Sequence, residues 1–257
     1  MLALNDLHDV RLVVAHPDDE VLWFSSILEH ASRAILCFQQ VPSRPDWSNG
    51  RERIIAEFPR SIESLRLTEA EVFATADWPN PTTSDYGLEV RQRRNAMPGF
   101  SKTRYQENFH AALAQLRVAL TGSSVVFSHS PWGEYGHEEH VQIFRVVDAL
   151  RLELGFRLFV PLYVSNKSYG LFLRYLPHIM GARIDLLTNR DLATMLRDLY
   201  SKHGCWTWFK DYEWPEREHF VEWTGMSERL LRSGALVQMN MLHMNWAPLA
   251  RRWPFGG

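Results

Sequence analysis

The stretch RLVVAHPDDEVLW, residues 11–23, constrains this chain more than any other. An unbroken apolar run of this length reads as a strand buried on both faces. Such strands belong to parallel sheets with helices on either side. Here the run stops abruptly in His-Pro-Asp-Asp-Glu. One histidine and three acids therefore fall at the carboxyl end of a buried strand, the edge where open α/β sheets bind ligands.

The rest of the chain supports that frame. After the first strand, residues 19–31 read as a helix and residues 34–41, AILCFQQV, as a second strand. PSRPDWSNG, residues 42–50, has loop composition. Residues 51–67 have a helical pattern interrupted at Pro59, and AEVFAT, residues 70–75, reads as a third strand. A long connection over residues 77–102 carries a basic cluster, Arg91, Arg93 and Arg94. An amphipathic helix follows over 105–120, a strand over 123–129, a helix over 137–154, a strand over 156–164 and a helix over 191–203. Strand then helix, repeated, predicts an α/β fold with a mainly parallel sheet covered by helices on both faces. Residues 1–203 are expected to form the catalytic domain. Residues 204–257 form an aromatic-rich extension packed on it, its tryptophans serving as core packing or as the wall of a ligand site.

Composition narrows the function classes. The formal net charge of -2 gives no field to recruit nucleic acid. No apolar run approaches a membrane span, although peripheral membrane contact stays open. Two distant cysteines, Cys37 and Cys205, make no disulfide framework. With no signal-like start in MLALNDLHDVR, a cytoplasmic setting is expected.

Chemistry concentrates in two places. His16 and Asp19 lie three apart at the first strand-to-helix junction, with Asp18 projecting separately. His137 and His140 lie three apart at the start of a later helix, in GHEEH. Acids at a helix start are common without any site, and a lone histidine pair is a weak signal. Both clusters, however, follow strands of one sheet and can converge. His16, Asp19 and His140 would then supply two imidazoles and a carboxylate with one position left for water, the ligand set of a catalytic zinc. Other divalent metals suit the same ligands. Asp18 can take a proton from water. His137 can stabilise an oxyanion or protonate a leaving amine, and Tyr135 adds a hydroxyl donor. The chemistry so assembled is amide or ester hydrolysis.

AHPDDE (residues 15–20) followed by Gly-His-x-x-His (residues 136–140) resembles the LmbE-like, or PIG-L, family of zinc-dependent N-acetylglucosaminyl deacetylases. The resemblance covers about the first 165 residues. It implies a Rossmann-like sheet and removal of acetyl from an N-acetylated sugar, which is free, nucleotide-linked, lipid-linked or in a glycoconjugate. It implies His16, Asp19 and His140 as zinc ligands, Asp18 as general base, His137 as the histidine assisting the tetrahedral intermediate, and Tyr135 as its helper. It also implies a substrate-binding arginine in the helix after the second strand. Arg53 is the candidate and Arg51 its competitor. Two departures stand out: Ser25 and Ser26 stand where the family often has glycine, and Pro59 disturbs the arginine's register. His129, ending a strand beside the site, is a candidate for contacting substrate or orienting a ligand, and His203 for lining the pocket. Arg91 to Arg94 form a solvated loop or a clamp on a substrate phosphate. The remaining alternatives are hydrolysis of another small amide, and a sugar-binding protein whose metal is not catalytic.

Overall fold

The computed structural model describes residues 7–94, 96–226 and 230–244. The chain runs β1 (Val10–Val14), α1 (Asp19–Leu22), α2 (Ser25–Leu28), β2 (Arg33–Gln40), α3 (Pro45–Glu57) and β3 (Ile62–Thr68). A two-strand hairpin, β4 (Thr83–Ser84) and β5 (Gly87–Leu88), leads into α4 (Lys102–Leu120), β6 (Val125–Ser128), α5 (Glu138–Leu154) and β7 (Arg157–Pro161). Then come β8 (Tyr163–Ser165), α6 (Tyr169–Tyr175), β9 (Arg183–Leu187), α7 (Arg190–Lys202), β10 (Arg217–Trp223) and β11 (Asn240–Leu242).

The expected α/β architecture is present. The central sheet has seven strands in the order β3-β2-β1-β6-β7-β10-β9. The pairs β3–β2, β2–β1, β1–β6 and β6–β7 are parallel, and only β10 runs against its neighbours. Residues of the central strands alternate between two cores, as the strand period of two requires. Val13, Ile35 and Val126 face Ala112 and Leu116 of α4 and Val147 of α5. Leu12, Val14, Leu36 and Phe127 face Ile54 of α3 and Ala193 and Leu196 of α7. Strand order reverses between β1 and β6, which opens a crevice at their carboxyl ends. Both polar clusters of the sequence follow those two strands.

Several local expectations are corrected. The helix expected over 19–31 is two single turns, α1 and α2. The second turn starts at Ser25 because Glu218, on β10, accepts from the Ser25 and Ser26 amides at 3.3 and 2.9 Å and from both hydroxyls. The serines at the departure from the family pattern are therefore the partners of a buried carboxylate. PSRPDWSNG is not a loop, since α3 begins at Pro45, where a missing N–H costs nothing. Gly50, read as a loop residue, is a close approach: a Cβ there would lie 2.6 Å from the His203 carbonyl oxygen. The helix stops at Glu57 because Phe58 is extended before Pro59, and residues 62–68 pair with β2 as an edge strand.

The run 70–75 is apolar but not a strand. Glu71 and Ala74 have positive φ, and the amides of Ala70, Ala74 and Ala76 donate to the carboxylates of Glu139 and Glu138. The expected strand over 156–164 is divided into β7 and β8, and β8 pairs with β11. The aromatic C-terminal part contributes β10 to the sheet itself, between β7 and β9. Residues 227–229 and 245–257 of the expected extension lie outside the described residues.

Glu218→Ala would strand the buried amides of Ser25 and Ser26. A loss of about 3 kcal/mol is expected, measured as a lower urea midpoint at an unchanged slope.

Candidate metal centre

The HPDDE turn is tied from within and from behind. The His16 amide donates to Asp19 Oδ2 at 2.8 Å, and the Trp23 indole donates to Asp19 Oδ1 at 3.0 Å. Asp18 has φ 98°, a left-handed backbone conformation, at the start of α1. Its amide donates to Glu20 Oε2 at 3.0 Å, and Glu20 Oε1 accepts from the Tyr200 hydroxyl at 2.6 Å. Asp18 Oδ2 in turn accepts from the Thr207 amide at 3.0 Å and the Thr207 hydroxyl at 2.5 Å. Each of the three acids thus has its own anchors, and all three are buried.

The second cluster is organised by a residue that the sequence reading overlooked. Glu134, fully buried, accepts from the Ser130 amide at 2.7 Å and lies 2.9 Å from His129 Nδ1 and 2.6 Å from His140 Nδ1. Burial would raise its pKa, but the two imidazoles win and hold it at about 2. A carboxylate at Nδ1 places the proton there and leaves the Nε2 lone pair of His140 free. That nitrogen is buried, has no hydrogen-bond partner among the described residues, and lies 3.2 Å from Asp19 Oδ1.

His16 is arranged the other way round. Its Nε2 is 3.0 Å from Glu139 Oε2, and its Nδ1 is 3.3 Å from Asp19 Oδ2. Each ring therefore has one nitrogen held by a glutamate and the other turned towards the Asp19 carboxylate. Burial disfavours ionised Asp19, but His140 and His129 hold its pKa well below the usual carboxylate range. Two imidazole nitrogens, one of them orphaned, each face the ionised Asp19 carboxylate, and donors of these kinds suit a divalent metal.

Among the described residues the groups at metal-ligand spacing are Asp19-His129-His140, His16-His137-His140 and His16-Glu69-Glu139, which bring in two further histidines, His129 and His137. Hydrogen bonding argues against both as ligands. His129 Nε2 accepts from the Ala15 amide at 2.8 Å, so although Glu134 and Asp19 favour its protonated form, the ring needs that lone pair and both nitrogens are used. His137 Nδ1 accepts from the Glu139 amide at 3.1 Å, which leaves the proton on Nε2. Burial, then His16 and His140, push the His137 pKa well below its usual value and keep the ring neutral. Burial, then Asp19, raise Asp18 to about 7, with Thr207 opposing.

The expected substrate-contacting residues fall differently. Arg53 lies on the exposed side of α3. Arg51, its competitor, is the buried one, paired with Glu69, and its charge acts on Asp18. The helix period decides this, because Arg51 shares its face with the buried Trp47, Ser48 and Ile54 and Arg53 does not. His129 has no exposed surface, so it backs Asp19 and Glu134 rather than touching substrate. His203 caps α7 and pairs with Glu57 at 3.1 Å, away from the two clusters. Arg91 and Arg94 are exposed, and Arg93 donates to the Thr75 carbonyl.

Around the opening, Tyr135 is half-buried, stacked on Trp23 with centroids 5.5 Å apart and edge-on to Trp208 at 4.7 Å. Phe73 lies 5.1 Å from the His137 ring. Trp208, Trp214 and Trp223 are buried, so these late tryptophans serve mainly as packing, with Trp208 also bordering the site.

No protein-family model matches the sequence, and no curated protein matches it. Solved structures do. The zinc-inhibited form of teicoplanin deacetylase Orf2 superposes with a TM-score of 0.52 at 10% identity, over 83% of this chain and 97% of that one. A deacetylase–bog complex from the teicoplanin biosynthesis pathway gives 0.52 at 10% identity, over 83% and 96%. The likeness is one of fold. Among the described residues no helix is long and apolar enough to cross a membrane.

Glu134→Gln would place an amide against two Nδ1–H groups and unsettle the His140 tautomer. Zinc affinity is expected to fall about 10- to 100-fold, measured by competition with a chromophoric chelator.

Proposed function

We propose that this protein is a zinc-dependent hydrolase that removes the acetyl group from an N-acetylated sugar. The observation that carries the reading is the unpartnered His140 Nε2 facing Asp19 and His16, with a buried second acid, Asp18, beside them. His16 Nδ1, Asp19 and His140 Nε2 would hold the metal. Bound there, it would supply Lewis-acid polarisation and lower the pKa of water. Structures sharing the fold are described as a teicoplanin deacetylase and a deacetylase of the teicoplanin biosynthesis pathway, which favours acetyl removal among amide hydrolyses.

The chain's own groups have distinct tasks in this reading. Thr207 occupies Asp18 Oδ2, so Oδ1 is the oxygen available to take a proton from the attacking water. His137 is neutral with its proton on Nε2, so it donates to the developing oxyanion and Tyr135 assists. A ring that needs its Nδ1 lone pair for the Glu139 amide is a poor proton source for the leaving amine. Asp18 then returns its proton to that amine, and acetate departs. Arg51, rather than Arg53, is the arginine whose charge reaches the site.

The test is acetate release from N-acetylated sugars that are free, nucleotide-linked, lipid-linked or carried on a glycopeptide. Metal-restored protein should release acetate, and chelated protein should not. Asp18→Ala should keep its metal and lose about 10²- to 10⁴-fold in kcat, whereas His140→Ala should lose both. Equal release by metal-free protein would refute the reading, as would metal-loaded protein that releases acetate from none of these sugars. Thr207→Val should lower kcat about 10-fold with KM unchanged, and Thr207→Ser should restore it.

A further inference from the structure

The loop that carries Glu134, Tyr135 and His137 is irregular, closed by its own turns from Gly133 to Ser130 and from Gly136 and His137 to Gly133. Gly133, Glu134 and Gly136 all have positive φ, at 65°, 47° and 94°. A loop with so many left-handed residues has no regular ladder to fix it. The carbonyls of Glu134, Tyr135 and Gly136 are satisfied by one turn elsewhere in the chain, Ser165-Asn166-Lys167-Ser168, between β8 and α6.

The match is one side chain per carbonyl. Ser168 Oγ donates to the Glu134 carbonyl at 2.5 Å, Ser165 Oγ to the Tyr135 carbonyl at 3.0 Å, and Lys167 Nζ to the Gly136 carbonyl at 2.5 Å. Each hydroxyl has a single proton, and each spends it on the loop. Their lone pairs are used inside the turn. Ser165 Oγ accepts from the amides of Lys167 and Ser168, and Ser168 Oγ accepts from the amide of Ser165 at 2.9 Å. Both serines are fully buried. Gly136 makes room for the lysine, because a Cβ there would lie 2.7 Å from Lys167 Cδ. The lysine's ammonium also sits over the faces of Phe73, at 4.4 Å, and Trp78, at 4.9 Å.

The turn is anchored in its own right. Asn166 donates to the Met244 carbonyl at 3.0 Å and accepts from the Met244 amide at 2.7 Å, extending the parallel pairing of β8 with β11. A line of hydrogen bonds therefore runs from the C-terminal strand, through Asn166, to three successive carbonyls of the site loop.

We propose that Ser165, Lys167 and Ser168 are positioning residues that set the site loop: Ser168 seats Glu134 and through it the His140 and His129 rings, while Lys167 seats the backbone that presents His137. The proposal rests on the site assigned above, but its test does not require that the substrate be known.

Histidine ¹⁵N NMR of the Zn²⁺-loaded full chain reads directly which ring nitrogen carries the proton. In the wild type, His140 and His129 should carry the proton on Nδ1 and His137 on Nε2. Ser168→Ala should mix the tautomers of His140 and His129, and Lys167→Met should mix that of His137 alone, with Lys167→Arg restoring it. Titration of the same proteins, stripped of metal, with Co²⁺ should show about 10-fold weaker binding for Ser168→Ala and binding within about 2-fold of wild type for Lys167→Met. Unchanged tautomers in both variants would overturn the proposal, as would equal effects of both on all three rings, the mark of general loosening. Should Ser168→Ala fail to fold, Lys167→Met, at a half-buried side chain, decides alone. Failure of acetate release with these tautomer patterns intact would count against the proposed reaction and not against the loop's support.

Discussion

The Asp19 carboxylate lies between two imidazole nitrogens, His16 Nδ1 at 3.3 Å and His140 Nε2 at 3.2 Å. Much of the surrounding structure serves that arrangement. The acid belongs to the turn after β1 and His140 to the helix after β6, so the pair exists only because those strands are neighbours at the reversal of strand order. Each imidazole is held from its far side by a glutamate, Glu139 for His16 and Glu134 for His140. Burying ionised groups is costly unless they are paired and hydrogen-bonded. Here the partners are charged groups and backbone amides supplied from both halves of the chain.

A second regularity follows from the first. Where regular secondary structure stops near the site, buried glutamates take over the backbone amides. Glu138 and Glu139, between the two histidines of GHEEH, hold the irregular segment after β3. Glu138 also accepts from the Trp78 indole at 2.9 Å. Glu71 bridges the amides of Ser43 and Gly99 at 2.7 and 2.6 Å, which closes the long connection back onto the loop after β2. Glu218 does the same for α2 from the opposite end of the sequence. These buried acids thus act as scaffold, and the backbone they hold lies around the two clusters.

This explains which parts were legible in the sequence. The buried strand before His16, the alternation of strands and helices and the convergence of the two clusters follow from periodicity and from the sheet-edge rule, and all are present. The run 70–75 was unreadable because its Ala70 and Ala74 amides bond to side chains 69 and 64 residues away, and apolar content alone resembles a strand. Gly50 and Pro45 looked like loop punctuation but serve a close helix contact and a helix start. Arg53 was preferred to Arg51 with the register in doubt at Pro59, whereas the buried face of α3, with Trp47, Ser48 and Ile54, carries Arg51. His129 was visible as a residue near the site, but its burial behind Asp19 was not. Glu134 carried a faint signal, an acid in a glycine-flanked loop just before a histidine pair. Thr207 carried none, because its link to Asp18 spans 189 positions.

The proposed chemistry depends most directly on one metal held by His16, Asp19 and His140. The measurement that tests it is titration of metal-stripped protein with Co²⁺, followed by its visible absorption, in the wild type and in His140→Ala and His129→Ala. The account predicts one ion per chain with an intense tetrahedral-type spectrum, lost in His140→Ala and kept, at reduced affinity, in His129→Ala. Absence of binding in the wild type, or binding indifferent to His140→Ala, would contradict it.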